Sequence, residues 1–376
     1  MELSRYMLGD FLKFYSQQCD IPDLTENDVS GVNKDKEFFE PSKQVGADTS
    51  KYKIVPPNHF ACNLMHVGRD KILPIALNHT QKEKIVSPAY TVFSIIQGTP
   101  LLTDYFFIML KSEERDRAFW FNTDSSVRDG MSLKDFCAIE IDLPPLAIQQ
   151  KYVDVYNAMI ANQQCYERGL DDLKLAFDAL IDNYKHTSEK KNVYSILKEV
   201  DSRNVDESIT DVQGINIEKQ FMPSVANTNG VDISKYKIVK KGQFAFSGMQ
   251  TGRDKCIRIA LFDKDEPVII SPAYSVLEMK DNTVLAEYVM MWFSRKEVDR
   301  LGWFASDASI RTNLDMERFY EMEIPIPSIE IQQSIVDIYK VYLQRKEINE
   351  RLKEQIKSIC PILIKGSLEE ARKKEV

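Results

Sequence analysis

The sequence contains few of the residues that build metal centres, cofactor loops or covalent frameworks. It has six cysteines in 376 residues, without a CxxC pair, and four histidines. Its 14 glycines form no GxGxxG or P-loop pattern, and no apolar run approaches the ~20 residues of a membrane span. The charged N-terminal segment also lacks an apolar signal-peptide core. We therefore predict a cytoplasmic protein with reduced thiols that binds no metal or cofactor itself.

The charge balance also excludes one class of protein. The formal net charge is −8, which argues against indiscriminate binding to nucleic acid. A protein that concentrates its basic residues on one face and binds DNA there remains compatible with this total.

Most of the sequence consists of two copies of an internal repeat. Residues 50–77 match residues 234–261 at 16 of 28 positions without a gap. Further pairs are VSPAYTVF (86–93) with ISPAYSVL (270–277), AFWFNTDSSVR (118–128) with LGWFASDASIR (301–311), IEIDLPPLAIQQ (139–150) with MEIPIPSIEIQQ (322–333), and, more weakly, VSGVNKDKEFF (29–39) with VQGINIEKQFM (212–222). Because each copy spans about 180 residues, far more than a solenoid repeat, we predict two related domains.

Each copy has a front part of mixed structure and a long helix at its end. Segments such as YKIV, PIAL, YTVFSI and AIEIDL are typical of strands, and LTDYFFIMLKSEERDRAFW is typical of helix. We predict an α+β protein in which two homologous α/β domains are separated by an antiparallel two-helix coiled coil. The predicted boundaries are domain 1 at 1–145, helix 1 at 146–185, a linker at 186–195, domain 2 at 196–328, and helix 2 with a tail at 329–376.

Apolar residues at alternating spacings of four and three predict the seam between the two helices. The predicted seam comprises Ile148, Val155, Met159, Tyr166, Leu170, Leu173 and Phe177 in the first helix, and Ile331, Ile335, Ile338, Tyr342, Leu352 and Ile356 in the second. The pattern changes phase near Gln163 and has a polar break at Arg345 and Asn349, and Pro361 is expected to bend or end the second helix. The alternative is that each helix packs on its own domain.

One short string resembles a catalytic motif. DLPPL (142–146) is similar to the Asp-Pro-Pro-aromatic motif of adenine methyltransferases, but no aromatic residue follows, and PIPSI (325–329) in the other copy has no acid. Proline that stiffens a junction between strand and helix explains both strings. We therefore predict that the chain is not an enzyme.

The repeated polar residues are better suited to binding. VGRDK (67–71) recurs as TGRDK (251–255), while the residues before it differ, NLMH (63–66) against SGMQ (247–250). Arginine and lysine can hold phosphates, and Asn, His or Gln can contact base edges. For the aspartates the alternative is an Arg–Asp pair that closes a turn. The candidate DNA-binding residues are Lys51, Lys53, Asn63, His66, Arg69, Lys71, Tyr90 and Arg128 in the first copy, and Lys235, Lys237, Ser247, Gln250, Arg253, Lys255, Tyr274 and Arg311 in the second.

Together these strings resemble the specificity subunit of type I restriction–modification systems. The resemblance rests on VSPAYTVF and ISPAYSVL, on SSVR and ASIR upstream of the two IQQ strings, and on the two long helices, and it covers nearly the whole chain. It implies two target recognition domains, each for one half of a bipartite asymmetric DNA site, with a coiled coil that sets the spacer. It also implies two adenine methyltransferase subunits that carry S-adenosylmethionine, and restriction subunits in the full complex.

Three alternatives from other classes remain open. One is a stand-alone bipartite DNA-binding regulator, and another is a protein scaffold without a methyltransferase partner. The third is an enzyme with a degenerate methyltransferase core, which the missing cofactor loop disfavours.

Overall fold

The chain divides into two compact units. The computed structural model describes residues 3–40, 45–46, 48–124, 130–224, 230–249, 251–307 and 312–373. Unit 1 comprises Met1–Cys165 and Asn349–Val376, and unit 2 comprises Tyr166–Ile348. Each unit therefore contains the front part of one repeat together with helical segments from both repeats.

The first repeat forms short strands, short helices and one long helix. These are β1 (Ser4–Met7), β2 (Leu12–Tyr15), β3 (Gly31–Val32), β4 (Phe38–Phe39), β5 (Lys53–Val55), β6 (Phe60–Cys62), α1 (Val67–Asp70), β7 (Ile75–Leu77), β8 (Lys84–Val86), β9 (Thr91–Ile95), α2 (Thr103–Leu110), α3 (Glu113–Phe121), α4 (Leu133–Cys137), β10 (Glu140–Leu143) and α5 (Leu146–Lys185). Each segment that was predicted as strand contains one. The predicted helix is two helices, α2 and α3, because Ser112 accepts a hydrogen bond from the backbone N–H of Arg115 and starts α3.

The second repeat forms the same series, with the short helix α6 in the place of a 3-10 turn at Leu8–Phe11. Its elements are β11 (Glu189–Asn192), α6 (Val193–Ile196), β12 (Leu197–Val200), β13 (Val212–Ile215), β14 (Phe221–Pro223), β15 (Lys237–Val239), β16 (Phe244–Ser247), α7 (Thr251–Asp254), β17 (Arg258–Leu261), β18 (Val268–Ile270), β19 (Ser275–Met279), α8 (Ala286–Phe293), α9 (Lys296–Ala305), α10 (Met316–Glu321), β20 (Glu323–Ile326) and α11 (Ile329–Lys373).

The sheets of the two units correspond. Unit 1 has an antiparallel sheet of order β2-β9-β6-β7 and a β1-β10 pair, and unit 2 has β12-β19-β16-β17 and β11-β20. The remaining strands differ, because β3-β4 and β5-β8 are separate pairs, whereas a parallel β13-β18 pair joins their counterparts into one sheet, β14-β13-β18-β15.

Each main core lies between the sheet and segments of both long helices. In unit 1, Val153 and Tyr156 of α5 and Cys360 and Leu363 of α11 are buried in the same cluster as the sheet residue Phe60. In unit 2 the corresponding helical residues are Phe177, Ile181, Ile335 and Val336. Burial of these apolar side chains fixes the helices to the domains.

Within each unit, α5 and α11 run antiparallel. In unit 1, Lys151 Nζ lies 2.7 Å from Glu370 Oε2, and Gln163 Nε2 donates to Asn349 Oδ1 at 2.9 Å, so position rises along α5 as it falls along α11. In unit 2 the ring of Phe177 packs edge-on against Tyr339, with centroids 5.7 Å apart. The predicted fold, two α/β domains each followed by a long helix with the helices antiparallel, is confirmed.

Two details of the helix prediction need correction. Val155 is 44% exposed, because the buried positions of this part of α5 are Val153, Tyr156 and Gln163, one residue out of phase with the predicted seam. Of the two effects predicted for Pro361, a bend or an end, the end is wrong, because the second helix continues to Lys373. Its neighbours Cys360 and Leu363 are buried in the unit 1 core, which holds this segment in place despite the missing backbone N–H.

A buried glutamine joins each domain to its long helix. Gln149 is fully buried, its Oε1 accepts from the backbone N–H of Leu102, and its Nε2 donates to the carbonyls of Pro100 and Pro144. Gln332 makes the same set of bonds with Leu285, Thr283 and Pro327. The first glutamine of each IQQ string is therefore a structural clamp at the start of the helix.

Candidate functional site

A short helix ends in the same unusual way in both units. Helix α1 ends at Asp70 and α7 at Asp254, and the next residues, Lys71 and Lys255, have φ angles of 54° and 51°. This left-handed conformation at a helix end is typical of glycine and costs other residues about 1–2 kcal/mol. A lysine at this position in both copies indicates that its side chain has a role.

The two lysines are each placed over a tryptophan. Lys71 Nζ lies 4.7 Å from the ring centroid of Trp120, and Lys255 Nζ lies 4.8 Å from that of Trp303. These cation–π contacts connect the lysine to the end of α3 or α9. We call Arg69, Asp70, Lys71 and Trp120 the first GRDK corner, and Arg253, Asp254, Lys255 and Trp303 the second GRDK corner.

In each corner the aspartate is held inside and the arginine points outward. Asp70 accepts from the Arg69 guanidinium, at 3.2 Å from Nη2, and the side chain of Arg69 is 64% exposed. Arg253 Nε lies 3.0 Å from Asp254 Oδ1, and its side chain is equally exposed. The alternative for the aspartates, an Arg–Asp pair within the turn, is what the geometry shows, and both arginine side chains are largely exposed.

Asp254 has a second cationic neighbour, which affects its pKa. Its carboxylate also accepts from Arg258. Burial acts to raise the pKa of Asp254, but the hydrogen bonds from Arg253 and Arg258 outweigh it and hold the pKa below its usual value. The carboxylate is therefore charged at neutral pH and offsets part of the positive charge of the corner.

A buried ion pair lies next to each corner and connects it to α3 or α9. Lys36 Nζ lies 2.6 Å from Asp116 Oδ1 and contacts the carbonyl of Leu73, whose backbone N–H donates to the same carboxylate. The counterpart joins Lys219 Nζ to Asp299 Oδ1, also at 2.6 Å, with Ile257 in the place of Leu73. Because Leu73 and Ile257 lie two residues after the lysines of the corners, these pairs fix the corners to α3 and α9.

Sequence reasoning missed this pair although a signal was present. The two lysines align within the weak repeat at 29–39 and 212–222, and the two aspartates align just before AFWF and LGWF. Repeated acidic and basic residues that are distant in sequence are candidates for a buried pair.

The first variable residue before each corner is buried. Asn63 is buried and its Oδ1 accepts from the backbone N–H of Met65, and the Ser247 hydroxyl accepts in the same way from Met249. Both residues therefore stabilise the turn that precedes the short helix, and their side chains are not available to contact bases. The exposed members of these stretches are Met65 and Met249, at 42% and 41%.

Several other candidates in the first copy contact each other. Lys53 Nζ donates to the carbonyl of Tyr90 at 2.6 Å, and burial lowers the pKa of this lysine. The hydroxyl of Tyr90 accepts from the backbone N–H of Val32. Lys51 is exposed.

The corresponding candidates of the second copy are one buried lysine, one exposed lysine and one half-buried tyrosine. Lys237 is buried beside Glu199, with Nζ 3.4 Å from the carboxylate, whereas Lys235 is exposed and paired with Asp232. Tyr274 is half-buried. Both Lys53 and Lys237 are thus engaged within their domains, which removes them from the exposed cations.

The remaining candidates lie outside the described residues. These are Arg128, Gln250 and Arg311, and the side chain of His66 is also outside the described part of the structure.

The described residues contain no cluster of metal ligands and no disulfide. Among them, no group of three or more His, Cys, Asp or Glu side chains could hold a metal ion. All six cysteines lie in described segments and are free thiols. In the same part of the chain, no helix is long and apolar enough to cross a membrane.

Two solved structures share the fold over nearly the full chain. An S subunit of a type I restriction–modification system from M. genitalium aligns with a TM-score of 0.54 at 12% identity, covering 97% of this chain and 95% of that one. A chain from a structure of complex assembly and conformational transition of the type I R-M system aligns with a TM-score of 0.50 at 12% identity, covering 96% and 97%. At this identity the likeness establishes the fold alone. No curated protein sequence matches the chain significantly.

A family likeness follows from the sequence comparison. The model for the type I restriction modification DNA specificity domain matches residues 184–358, which contain the second repeat and most of its helix. The first repeat shares its strings and its fold. This match, over just under half of the chain, makes the chain similar to the DNA specificity subunits of type I restriction–modification systems, which are non-catalytic components of their complexes.

Proposed function

We propose that this chain selects the DNA site of its complex by recognising the two halves of a bipartite, asymmetric sequence. Domain 1 (1–145) recognises one half-site and domain 2 (196–328) the other. The observation that carries the proposal is the pair of GRDK corners, because an equivalent cationic corner is built once in each domain. Two copies of a phosphate-binding corner suit a protein that must hold one duplex at two places.

The exposed cations of the corners supply the phosphate contacts. Arg69 and Lys71 serve the first half-site, and Arg253 and Lys255 the second. Met65 and Met249 lie beside them, in the stretch where the two copies differ. The base identity of each half-site is determined by the variable residues of each domain around this corner.

The helices of residues 146–185 and 329–376 set the spacer and dock two adenine methyltransferase subunits. Helix α5 has 40 residues and α11 has 45, which correspond to about 60 Å and 68 Å at 1.5 Å per residue. Half-sites one turn of DNA apart lie ~34 Å from each other, so helices of this length are sufficient. S-adenosylmethionine is bound by the methyltransferases, and restriction subunits join for cleavage in the cytoplasm.

DNA affinity is divided between this chain and its methyltransferase partners. The whole chain carries a net charge of −8, and residues 1–145 contain 16 Lys and Arg against 21 Asp and Glu. Phosphate contacts dominate non-specific affinity, so the chain alone binds DNA weakly and the partners complete the interface.

Affinity purification followed by footprinting tests this proposal. The tagged chain is expected to co-purify a methyltransferase, and only the complex protects a specific duplex at ~150 mM salt. A stand-alone regulator would instead protect its site without a partner, and a scaffold would protect none. Tight specific binding by the isolated chain would contradict the proposal.

A further inference from the structure

Each domain displays one apolar ring almost completely in solvent. Phe121 is 88% exposed and Phe304 is 87% exposed, the highest values among the large apolar side chains of the described residues. They occupy equivalent positions, at the ends of α3 and α9, in the strings AFWF and LGWF. An isolated exposed apolar residue is ordinary, but the same phenylalanine at the same place in two domains is not.

The backbone below each ring is fixed. After Phe121, the side-chain amide of Asn122 donates to the carbonyl of Ala118, and the hydroxyl of Thr123 donates to that of Trp120. The ring is therefore exposed on a helix end that is closed by hydrogen bonds, and not on a frayed terminus.

The end of α9 is held in a comparable way. The hydroxyl of Ser306 donates to the carbonyl of Gly302, and the Arg318 guanidinium donates to that of Ala305 at 2.9 Å. Both domains thus hold a large apolar ring outward on a capped helix end.

An exposed arginine lies near each ring on the helix surface, and at Phe304 the carboxylates Glu297, Glu321 and Glu323 line the same cavity. Arg117 precedes Trp120 by three residues and Phe121 by four, a spacing that puts these side chains on neighbouring parts of the helix surface. Arg300 has the same relation to Trp303 and Phe304, and both arginines are exposed.

The GRDK corners add further positive charge. Lys71 lies over Trp120 and Lys255 over Trp303, next to the exposed arginines of the corners. Of the acidic residues of α3, Glu113 and Glu114 lie at its opposite end, about 12 Å along the axis from Phe121, and Asp116 is buried.

An exposed ring among cations fits DNA better than an apolar protein pocket. Phosphates are attracted by the cations, while the ring can stack on any base, because every base has an aromatic face. This independence from base identity explains why the ring is common to two domains that recognise different half-sites. Apolar side chains that enter the base stack are a known mode of DNA binding.

We propose that Phe121 and Phe304 each insert into the base stack of the half-site bound by their own domain, beside phosphates held by the adjacent cations. This inference rests on the proposed function, since it requires a bipartite duplex on the two domains. It assigns the two rings a positioning role that is separate from sequence discrimination.

The test uses the complete complex with its methyltransferase and the duplex that it methylates. Phe121→Ala and Phe304→Ala are each expected to weaken binding by about 5-fold to 100-fold, the range measured for loss of one stacked base. The salt dependence of binding should stay that of the wild type, because no charge is removed. Phe121→Leu should restore most of the affinity, since leucine also serves as a wedge.

A fluorescent base analogue gives a readout that a structural role would not change. With 2-aminopurine placed in turn along one half-site, binding by the wild-type complex should increase fluorescence at one step. Phe121→Ala should abolish that increase in the first half-site only, and Phe304→Ala in the second only. Val205→Ala, which also truncates a highly exposed apolar residue, serves as a control that leaves both signals unchanged.

Each contrary result is informative. Affinity and fluorescence equal to wild type in both phenylalanine variants would overturn the inference while leaving the proposed function intact. Loss of methyltransferase co-purification in these variants would show that the rings contact protein, which also overturns it. A wild-type complex that binds no bipartite duplex would instead contradict the proposed function itself.

Discussion

Lys36 and Asp116 form an ion pair inside domain 1, with Nζ and Oδ1 2.6 Å apart and side-chain exposures of 5% and 11%. Lys219 and Asp299 form its counterpart in domain 2 at the same distance. The pair joins residues 80 positions apart in each copy. It ties the strand that follows each GRDK corner to the helix that carries the tryptophan.

Removal of one partner from this pair should destabilise the domain strongly. Asp116→Asn leaves the ammonium group of Lys36 buried without its carboxylate, and we expect a loss of about 3–5 kcal/mol in the free energy of unfolding. Urea unfolding followed by tryptophan fluorescence measures it. The matched control is Asp265→Asn, which breaks an exposed pair with Lys241 of equal length and should leave the free energy of unfolding almost unchanged. Equal effects of the two changes would contradict the assigned role.

The two glutamines of IQQ should differ sharply in their contribution to stability. Gln149→Leu leaves the N–H of Leu102 and the carbonyls of Pro100 and Pro144 without their partner, at a cost of about 2–4 kcal/mol. Gln150→Leu removes only an exposed bond to Asp154 and should change stability by less than about 0.5 kcal/mol. Thermal unfolding of the two variants makes the comparison, and similar melting temperatures would exclude the clamp.

Gln163 and Asn349 should be energetically coupled. Their side chains are buried and joined by a 2.9 Å hydrogen bond between α5 and α11. In a double-mutant cycle with leucine at each position, we expect a coupling of about 0.5–1.5 kcal/mol, since the double variant removes both polar groups. If the effects of the two single changes add to that of the double change, the bond does not contribute to helix pairing.

The arginines of the GRDK corners should act through phosphates. Arg69→Ala or Arg253→Ala should weaken DNA binding by the complex for all sequences and reduce the salt slope by about one. Titrations at several salt concentrations measure the slope. Arg5→Ala is the control, because Arg5 is equally exposed but pairs with Asp142 on the β1-β10 sheet. A slope unchanged from wild type in Arg69→Ala would remove that arginine from the interface.

The repeat explains why so much of the fold was accessible from sequence. Two matching copies fix the number of domains, and period and composition separate strands from the long helices. The register of the helices was not accessible in the same way. The seam around Val155 is displaced by one residue because Val153 and Tyr156 face the domain core, and the domain determines the phase there as much as the partner helix does.

The site was accessible only in part, for a related reason. The repeat identified Arg69, Lys71 and their counterparts, whose exposure the structure describes. The repeat also selected Lys237, because a lysine that forms a buried pair recurs just as a binding residue does. Asn63 and Ser247 were selected because the two copies differ there, although both residues fix a turn. Burial separates the two groups, and burial of a polar side chain depends on contacts that are distant in the sequence, such as Glu199 with Lys237.

The most direct test maps methylated adenines across the genome in cells with this chain and in cells that lack it. Loss of one bipartite motif, two short half-sites separated by a fixed spacer and methylated on opposite strands, is the predicted result. Exchange of residues 196–328 for those of a related subunit should then change one half of the motif and leave the other half unaltered. An identical set of methylated motifs with and without the chain would contradict its function as a DNA specificity subunit.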